Sequence, residues 1–176
     1  NMRYELMPYI YAQAKESSEK GLPMMRALFV EFPEDAGSWL VDNEYLFGSS
    51  MLVAPLFENG TSRDVYLPKG TWVDYQTGKA YEGGWHHIEA GDIPIIALVK
   101  NGTVIPHIDL AQSTKDMDWS NLKLKVFASS ETTTAKGLVY LPKGEKIETI
   151  EVTKEGNNFK LKNNPLQGKT SFSIIK

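Results

Sequence analysis

The sequence predicts a mainly β chain, two consecutive small antiparallel β-sandwich domains preceded by a helix and a strand of different texture. Three observations carry this reading. From about residue 58 onward, short runs of β-branched and aromatic residues alternate with Gly, Pro and Asn turns, as in all-β architecture. The hexapeptide Val-Tyr-Leu-Pro-Lys-Gly occurs at 65–70 and again at 139–144, a domain-sized spacing, and each copy reads as a strand closing into a turn. The first fifty or so residues instead show a helical period and then a nearly continuous apolar run.

Taken in order, Met2, Leu6, Tyr9, Ile10 and Ala14 recur at the spacing of one helical face, with Gln13, Lys15, Glu16, Glu19 and Lys20 on the others. Gly21 and Pro23 end that helix, and Pro8 predicts a kink or a helix start, with the kink preferred. Residues 24–32 are apolar almost throughout, which reads as a strand covered on both faces and paired in parallel. A loop at 33–37, short helical turns over 38–47 ending at Gly48, and a buried strand over 51–56 follow. Further strands are expected near 63–67, 71–75, 85–90, 95–99 and 103–106. After a polar stretch at 109–120 that reads as a linker, alternating strands are expected at 122–127, 137–141, 147–153, 159–162 and 171–175, with a hairpin turn at Asn157-Asn158. The domains implied are 1–50, 51–108 and 109–176.

Composition narrows the function classes. The 176 residues are 41% hydrophobic and 23% charged, ordinary globular material. A formal net charge of −3 gives no electrostatic footprint for nucleic acid, and no apolar run has the length of a membrane span. With no cysteine there is no disulfide, thiolate nucleophile or thiolate metal site.

A series of blocks carries a resemblance. They are Arg3-Tyr4-x-Leu6-Met7-Pro8-Tyr9-Ile10-Tyr11, Pro23-Met24-Met25-Arg26-Ala27-Leu28, Glu31-Phe32-Pro33-Glu34-Asp35, Asp42-x-x-Tyr45-x-Phe47-Gly48 and Leu52-Val53-Ala54-Pro55. Tyr66-Leu67-Pro68-x-Gly70-x-Trp72, Tyr75-x-Thr77-Gly78 and residues 95–106 continue it. In this order they resemble the late part of family 31 glycoside hydrolases; the last third is similar to that family's distal β domain in position and texture.

The resemblance implies hydrolysis of α-glycosidic bonds, as in α-glucosidases and α-xylosidases, by a (β/α)₈ barrel followed by proximal and distal β-sandwich domains. Residues 1–50 would then be the remnant of the end of the catalytic barrel, 51–108 the proximal domain and 109–176 the distal one. Trp85-His86 and Asp118-Trp119 point to the α-xylosidase branch. Retention requires a nucleophilic and an acid/base carboxylate about 5–5.5 Å apart. In the family these are an Asp in a Trp-x-Asp-Met-Asn motif and a later Asp, both upstream of anything matching Asn1. Asp116-Met117 lacks the flanking Trp and Asn. No catalytic, substrate-binding or metal residue and no cofactor is therefore assigned. The expectation is an excised, inactive scaffold that buttresses a barrel and meets carbohydrate only through that barrel. Its apolar segment 24–32, lacking neighbours, should collapse onto the β domains, disorder or self-associate.

Several side chains invite sharper roles. Glu31, Glu34 and Asp35 would lie at the carboxyl end of a barrel strand, where active sites form; solvation and capping are the preferred reading. Arg26, charged within an apolar run, is expected to pair with Glu31, Asp42 or Glu44. His86-His87 point to opposite faces of a strand, and His107 is the other histidine, which disfavours a metal. Trp72, Tyr75, Tyr81 and Trp85 suggest a sugar platform, with sandwich core preferred. Asn59-Gly60-Thr61 and Asn101-Gly102-Thr103 match the glycosylation pattern and read first as turns. The alternative function is a stand-alone carbohydrate-binding β-sandwich module, against which the doubly buried strand at 24–32 argues.

Overall fold

The computed structural model describes residues 1–156, 158–163, 165–166 and 169–175. The chain is mainly β, with two six-stranded sheets, and it groups into two compact units, Pro23–Asn101 and the combination of Asn1–Leu22 with Gly102–Ile175. This division differs from the expected 1–50, 51–108 and 109–176. Residues 23–50 give strands to the first sheet, and the N-terminal helices belong with the later strands.

In the unit Pro23–Asn101 the strands are β1 (Met25–Arg26), β2 (Tyr45–Phe47), β3 (Met51–Ala54), β4 (Ser62–Asp74), β5 (Ala80–Glu89) and β6 (Ile96–Lys100). Their order is β1-β2-β3-β6-β4-β5, every pair antiparallel. The six strands form one continuous hydrogen-bonded sheet. β3 is buried throughout, as its unbroken apolar run predicts. Leu28, Leu46, Leu52, Val65, Leu67, Trp72, Ile88 and Leu98 form the core.

The strand expected over 24–32 is corrected. Only Met25 and Arg26 extend, pairing antiparallel with β2 at the sheet edge, and Leu28–Glu31 is a single helical turn, α3. Arg26 and Leu28 are buried while Met25, Phe29 and Val30 are exposed, so the run is covered on one side only. An apolar run without a period does not distinguish strand from helix, and Ala27, extended at φ −60° and ψ 149°, switches one to the other. The helical turns expected over 38–47 shrink to a 3₁₀ turn at Ala36–Trp39 followed by β2.

β4 absorbs two expected strands. Its register with β5 shifts between Leu67 and Thr71, so that Pro68, Lys69 and Gly70 bulge opposite Gly83. Pro68 has no N–H to give a ladder, and a Cβ on Gly83 would lie 2.9 Å from the Lys69 Cα. The second copy of the hexapeptide behaves differently, contrary to the expectation of shared local structure. Val139–Leu141 ends a strand, and residues 142–145 turn directly into the next, pairing Leu141 with Lys146.

In the other unit α1 (Met2–Glu5) and α2 (Met7–Lys20) are separated at Leu6, and Pro8 occupies the first turn of α2. Pro8 is thus a helix start, where its missing N–H costs nothing. Gly21, left-handed at φ 68°, closes α2 and donates its N–H to Ser17. The buried face is Tyr9, Ala12, Gln13 and Glu16, with Ala14 exposed. The strands are β7 (Thr103–His107), β8 (Asn121–Phe127), β9 (Thr134–Leu141), β10 (Lys146–Glu155), β11 (Asn158–Asn163) and β12 (Lys169–Ile175). α2 packs on β7, β9 and β10.

The order is β11-β10-β9-β7-β8-β12. The expectation of a purely antiparallel sheet is corrected, because β7–β9 and β8–β12 run parallel. The stretch 109–120 is no linker; it holds a 3₁₀ turn at Thr114–Asp116 and the buried Met117. Asn157 of the expected hairpin lies outside the described residues. Neither Asn-Gly pair closes a hairpin, since Asn59-Gly60 bends between β3 and β4, and Asn101-Gly102 joins β6 to β7 of the other sheet. Among the described residues no helix is long and apolar enough to cross a membrane.

Gly137 of β9 sits against β7, and a Cβ there would lie 1.9 Å from the Val104 carbonyl oxygen. Gly137→Ala is expected to destabilise the unit by about 1–3 kcal/mol, the usual cost of overpacking. Gly60→Ala, with its nearest atom at 3.9 Å, should be near neutral. Thermal unfolding of the two variants measures the contrast.

Candidate functional site

The densest polar constellation ties the loop after α3 to β4. Asp35 accepts hydrogen bonds from the backbone N–H of Gly37 at 3.0 Å and of Lys69 at 3.1 Å, and from the Tyr66 hydroxyl. Gly37 is required because a Cβ would fall 2.1 Å from the Tyr66 ring. Ser38 donates to the carbonyls of Phe32 and Asp35, and the Trp39 indole N–H donates to Pro33. Burial pushes the Asp35 carboxyl up, but the hydrogen bonds from Tyr66, Lys69, Gly37 and Ser38 outweigh it and hold its pKa below the ordinary value. The same bond to Asp35 pushes Tyr66 up to about 12.

Glu44 lies at the other end of the constellation. Its Oε1 accepts the Tyr66 backbone N–H at 2.9 Å and stands 3.6 Å from Arg63. Its Oε2 is buried without a hydrogen-bond partner among the described residues. Burial pushes the pKa of Glu44 up to about 7, partly offset by the Tyr66 N–H and Arg63. Arg63 is anchored further by donating to the carbonyls of Asn43 and Pro55.

The other singled-out residues have local tasks. Arg26 pairs with Glu31 and donates to the Pro23 carbonyl at 2.7 Å. Glu34 and Asp42 are exposed. His86 contacts the Glu82 carbonyl at 2.6 Å, while His87 bridges Asp64 at 2.8 Å and Ser62 at 3.0 Å. This Ser-His-Asp chain has the connectivity of a nucleophilic relay, yet the His87 and Asp64 side chains are 65% and 72% exposed, whereas a relay depends on a buried aspartate to fix the imidazole. It is a solvated cross-strand ladder. Among the described residues no group of three or more His, Asp or Glu could hold a metal ion.

Trp72, Tyr75, Tyr81 and Trp85 do not assemble into a platform. Trp72 and Tyr75 are buried while Trp85 is 63% exposed and packs beside Tyr66 at 5.4 Å. The aromatic grouping that sequence reasoning missed is in the other unit, where the half-buried Trp119 meets Tyr11 at 5.6 Å and Tyr140 at 6.0 Å, both edge-on. Trp119 lines a cleft of about 540 Å³ with Ser120, Leu141, Lys143 and Lys146. No local pattern links these three residues, which come from a helix, a turn and a strand. Asp118 caps that turn by accepting from Ser120, and Asp116 accepts from Ser113.

With this geometry in hand, comparison with known proteins is informative. Residues 21–105 match the glycosyl hydrolase family 31 C-terminal domain. The chain belongs to glycoside hydrolase family 31. This family 31 chain is 39% identical over 119 residues to alpha-glucosidase 2 of Bacillus thermoamyloliquefaciens, a match covering 66% of the chain and 15% of that enzyme. A family 31 dextranase of Flavobacterium johnsoniae, solved with isomaltotriose, superposes with a TM-score of 0.79 at 29% identity, over 91% of the chain and 21% of its own. A cycloalternan-forming enzyme of Listeria monocytogenes, solved with a pentasaccharide, gives 0.82 at 28% identity, over 98% and 17% respectively. The family 31 chain thus spans 15% of the length of the first of these curated relatives.

Two buried titratable groups give the units opposite pH responses. Glu44 has a folded pKa of about 7, above its unfolded value, so its contribution is full below the unfolded value and is lost as pH rises through about 7. Burial, with Lys125 nearby, pushes His107 down to about 4, and its Nδ1–H donates to the Ile105 carbonyl. That contribution is full above the unfolded value and is lost as pH falls through about 4. Raising pH from 5 to 8 is expected to weaken the unit containing Glu44 by about 1–3 kcal/mol, and Glu44→Gln should abolish that loss. Lowering pH from 7 to 4 should weaken the unit containing His107. Amide hydrogen exchange, read unit by unit, measures both.

Proposed function

We propose that this chain is the non-catalytic C-terminal portion of a retaining α-glycosidase that removes terminal α-linked sugars, and that its two β units act as a scaffold for a catalytic barrel outside these residues. The carrying observation is how Glu31, Asp35 and Glu44 are engaged, while the other two acids of this stretch, Glu34 and Asp42, are exposed. Glu31 is held by Arg26, Asp35 by Tyr66, Lys69 and Gly37, and Glu44 is buried under Tyr66 and beside Arg63. Retaining hydrolysis needs two carboxylates facing one pocket about 5–5.5 Å apart. Groups already committed to backbone N–H and guanidinium partners serve position rather than chemistry.

The α-glucoside is the first substrate to test, because the relative with 39% identity is an α-glucosidase. The α-xyloside is second, on the strength of Trp85-His86 and Asp118-Trp119; in the fold His86 and Asp118 have local hydrogen-bonding tasks. The doubly buried strand that argued against a stand-alone carbohydrate-binding module is not formed, so that argument falls. The Trp119 cleft favours carbohydrate binding as a second reading, since an indole face beside hydroxyl and ammonium donors suits a sugar ring.

Hydrolysis of 4-nitrophenyl α-glucoside and α-xyloside by the 176-residue chain and by the full-length enzyme that contains it tests the proposal. Turnover only in the full-length enzyme is expected. Turnover by the 176-residue chain that Asp35→Asn or Glu44→Gln abolishes would overturn the scaffold reading. Quenching of Trp119 fluorescence by maltotriose, absent in Trp119→Ala, would establish the second reading.

A further inference from the structure

The two Asn-Gly pairs, Asn59-Gly60 and Asn101-Gly102, carry the same local chemistry and sit in opposite surroundings. Asparagine is among the labile side chains of a protein, and a following glycine exposes the backbone nitrogen that attacks its amide, because no Cβ stands in the way. Attack needs that nitrogen free of hydrogen bonds and a backbone able to fold onto the side chain. Asn101-Gly102 offers neither. The Gly102 N–H donates to the Phe127 carbonyl at 2.9 Å, its carbonyl accepts the Lys136 N–H at 2.9 Å, and its φ is 76°. Asn101 donates its own N–H to the Thr71 carbonyl at 2.9 Å, and Thr103 is buried. Asn59-Gly60 offers both. The pair is exposed on the bend between β3 and β4. Among the described residues neither Asn59 nor Gly60 has a hydrogen-bond partner, so the Gly60 nitrogen and the Asn59 carboxamide are free. A Cβ at Gly60 would find its nearest atom, the Ser62 carbonyl oxygen, 3.9 Å away, so nothing packs against the bend from that side.

We propose that Asn59 is a self-modification site, converted to aspartate and isoaspartate in the folded chain, while Asn101 is held unreactive by the hydrogen bonds around it. Water is the one co-reactant. The Gly60 nitrogen gives up its proton and bonds to the Asn59 Cγ, the Cγ–Nδ2 bond breaks, and ammonia leaves with that proton, closing a five-membered imide. Water then opens the ring. Addition at Cγ yields aspartate; addition at the main-chain carbonyl carbon of residue 59 yields isoaspartate, with the chain rerouted through the former side chain. Either product places a new negative charge in the lining of a cavity of about 430 Å³ that Asn59 shares with Glu58, Arg63, Asp64 and His87. Arg63 there already donates to the carbonyls of Asn43 and Pro55. Because Asn59 and Gly60 hold no hydrogen bond of the fold, the conversion changes surface charge without breaking one.

Peptide mapping by mass spectrometry tests this, on the 176-residue chain incubated at mildly alkaline pH in buffer and, in parallel, in urea. In buffer the peptide holding Asn59 is expected to gain the amide-to-acid mass shift at nearly its rate in urea. The peptide holding Asn101 should lag its own urea rate by about tenfold or more, since its nitrogen is released only by local opening. An isoaspartyl carboxyl methyltransferase supplied with labelled S-adenosylmethionine should place its label at position 59. Gly60→Ala, which crowds the attacking nitrogen, should slow conversion at 59 severalfold while leaving the Tm and the rate at Asn101 unchanged. Equal rates at the two asparagines in buffer overturn the proposal, as does an Asn59 that lags its urea rate as far as Asn101 does. Conversion at 59 that Gly60→Ala leaves untouched also overturns it, because the Gly60 nitrogen would then not be the nucleophile.

Discussion

The Asp35 carboxylate pins the loop after α3 to β4. Without it, the loop after α3 has two anchors of modest strength, the Ser38 hydroxyl and the Trp39 indole, both bonded within the loop itself. Asp35 reaches out of the loop, to the Tyr66 hydroxyl and to the Lys69 N–H in the bulge of β4. Pro68 in that bulge accepts the Trp72 indole N–H at 2.9 Å, so the same few residues set the position of a fully buried core tryptophan. A charged acceptor with several donors gives shorter and stronger bonds than neutral pairs. Loop, bulge and core are thereby coupled through one side chain.

Three of the acidic side chains between residues 31 and 44 are committed to structural partners, while Glu34 and Asp42 are exposed. Glu31, Asp35 and Glu44 each meet a different need: neutralising a buried guanidinium, pinning a loop, and capping a β4 backbone N–H under an arginine. The apolar residues at 29, 30, 39 and 40 stay exposed on this unit, with the Trp39 indole bonded to Pro33 and stacked on Phe29.

Much of the architecture was legible in the sequence, and the failures share a cause. The strands alternate or run apolar as their burial demands, so β3, β6 to β8 and β10 to β12 were readable within a residue or two, while β9 begins three residues before the expected start at 137. Gly21 ended its helix as its left-handed preference predicts. The run 24–32 misled because apolarity without a period is silent on geometry, and its exposed side belongs to no burial pattern within this chain. Gln13 and Glu16 were read as solvent-facing, yet the sheet against which α2 packs decides the buried face. The two identical hexapeptides diverge because Gly83 stands opposite one of them and a free turn follows the other. Of the site, the Arg26–Glu31 pair was foreseeable from a charge in an apolar run; the Asp35–Tyr66 bond, spanning 31 residues, left no local trace.

The most direct test of this account is a carbon-13 carboxyl NMR titration of the 176-residue chain, assigned at Asp35. A committed structural acceptor must titrate below the ordinary aspartate value of 3.8, with the Tyr66 ring resonances shifting in the same step. An Asp35 that titrates at or above that value, independently of Tyr66, would mean that the loop is not pinned and that its carboxylate is free for other work.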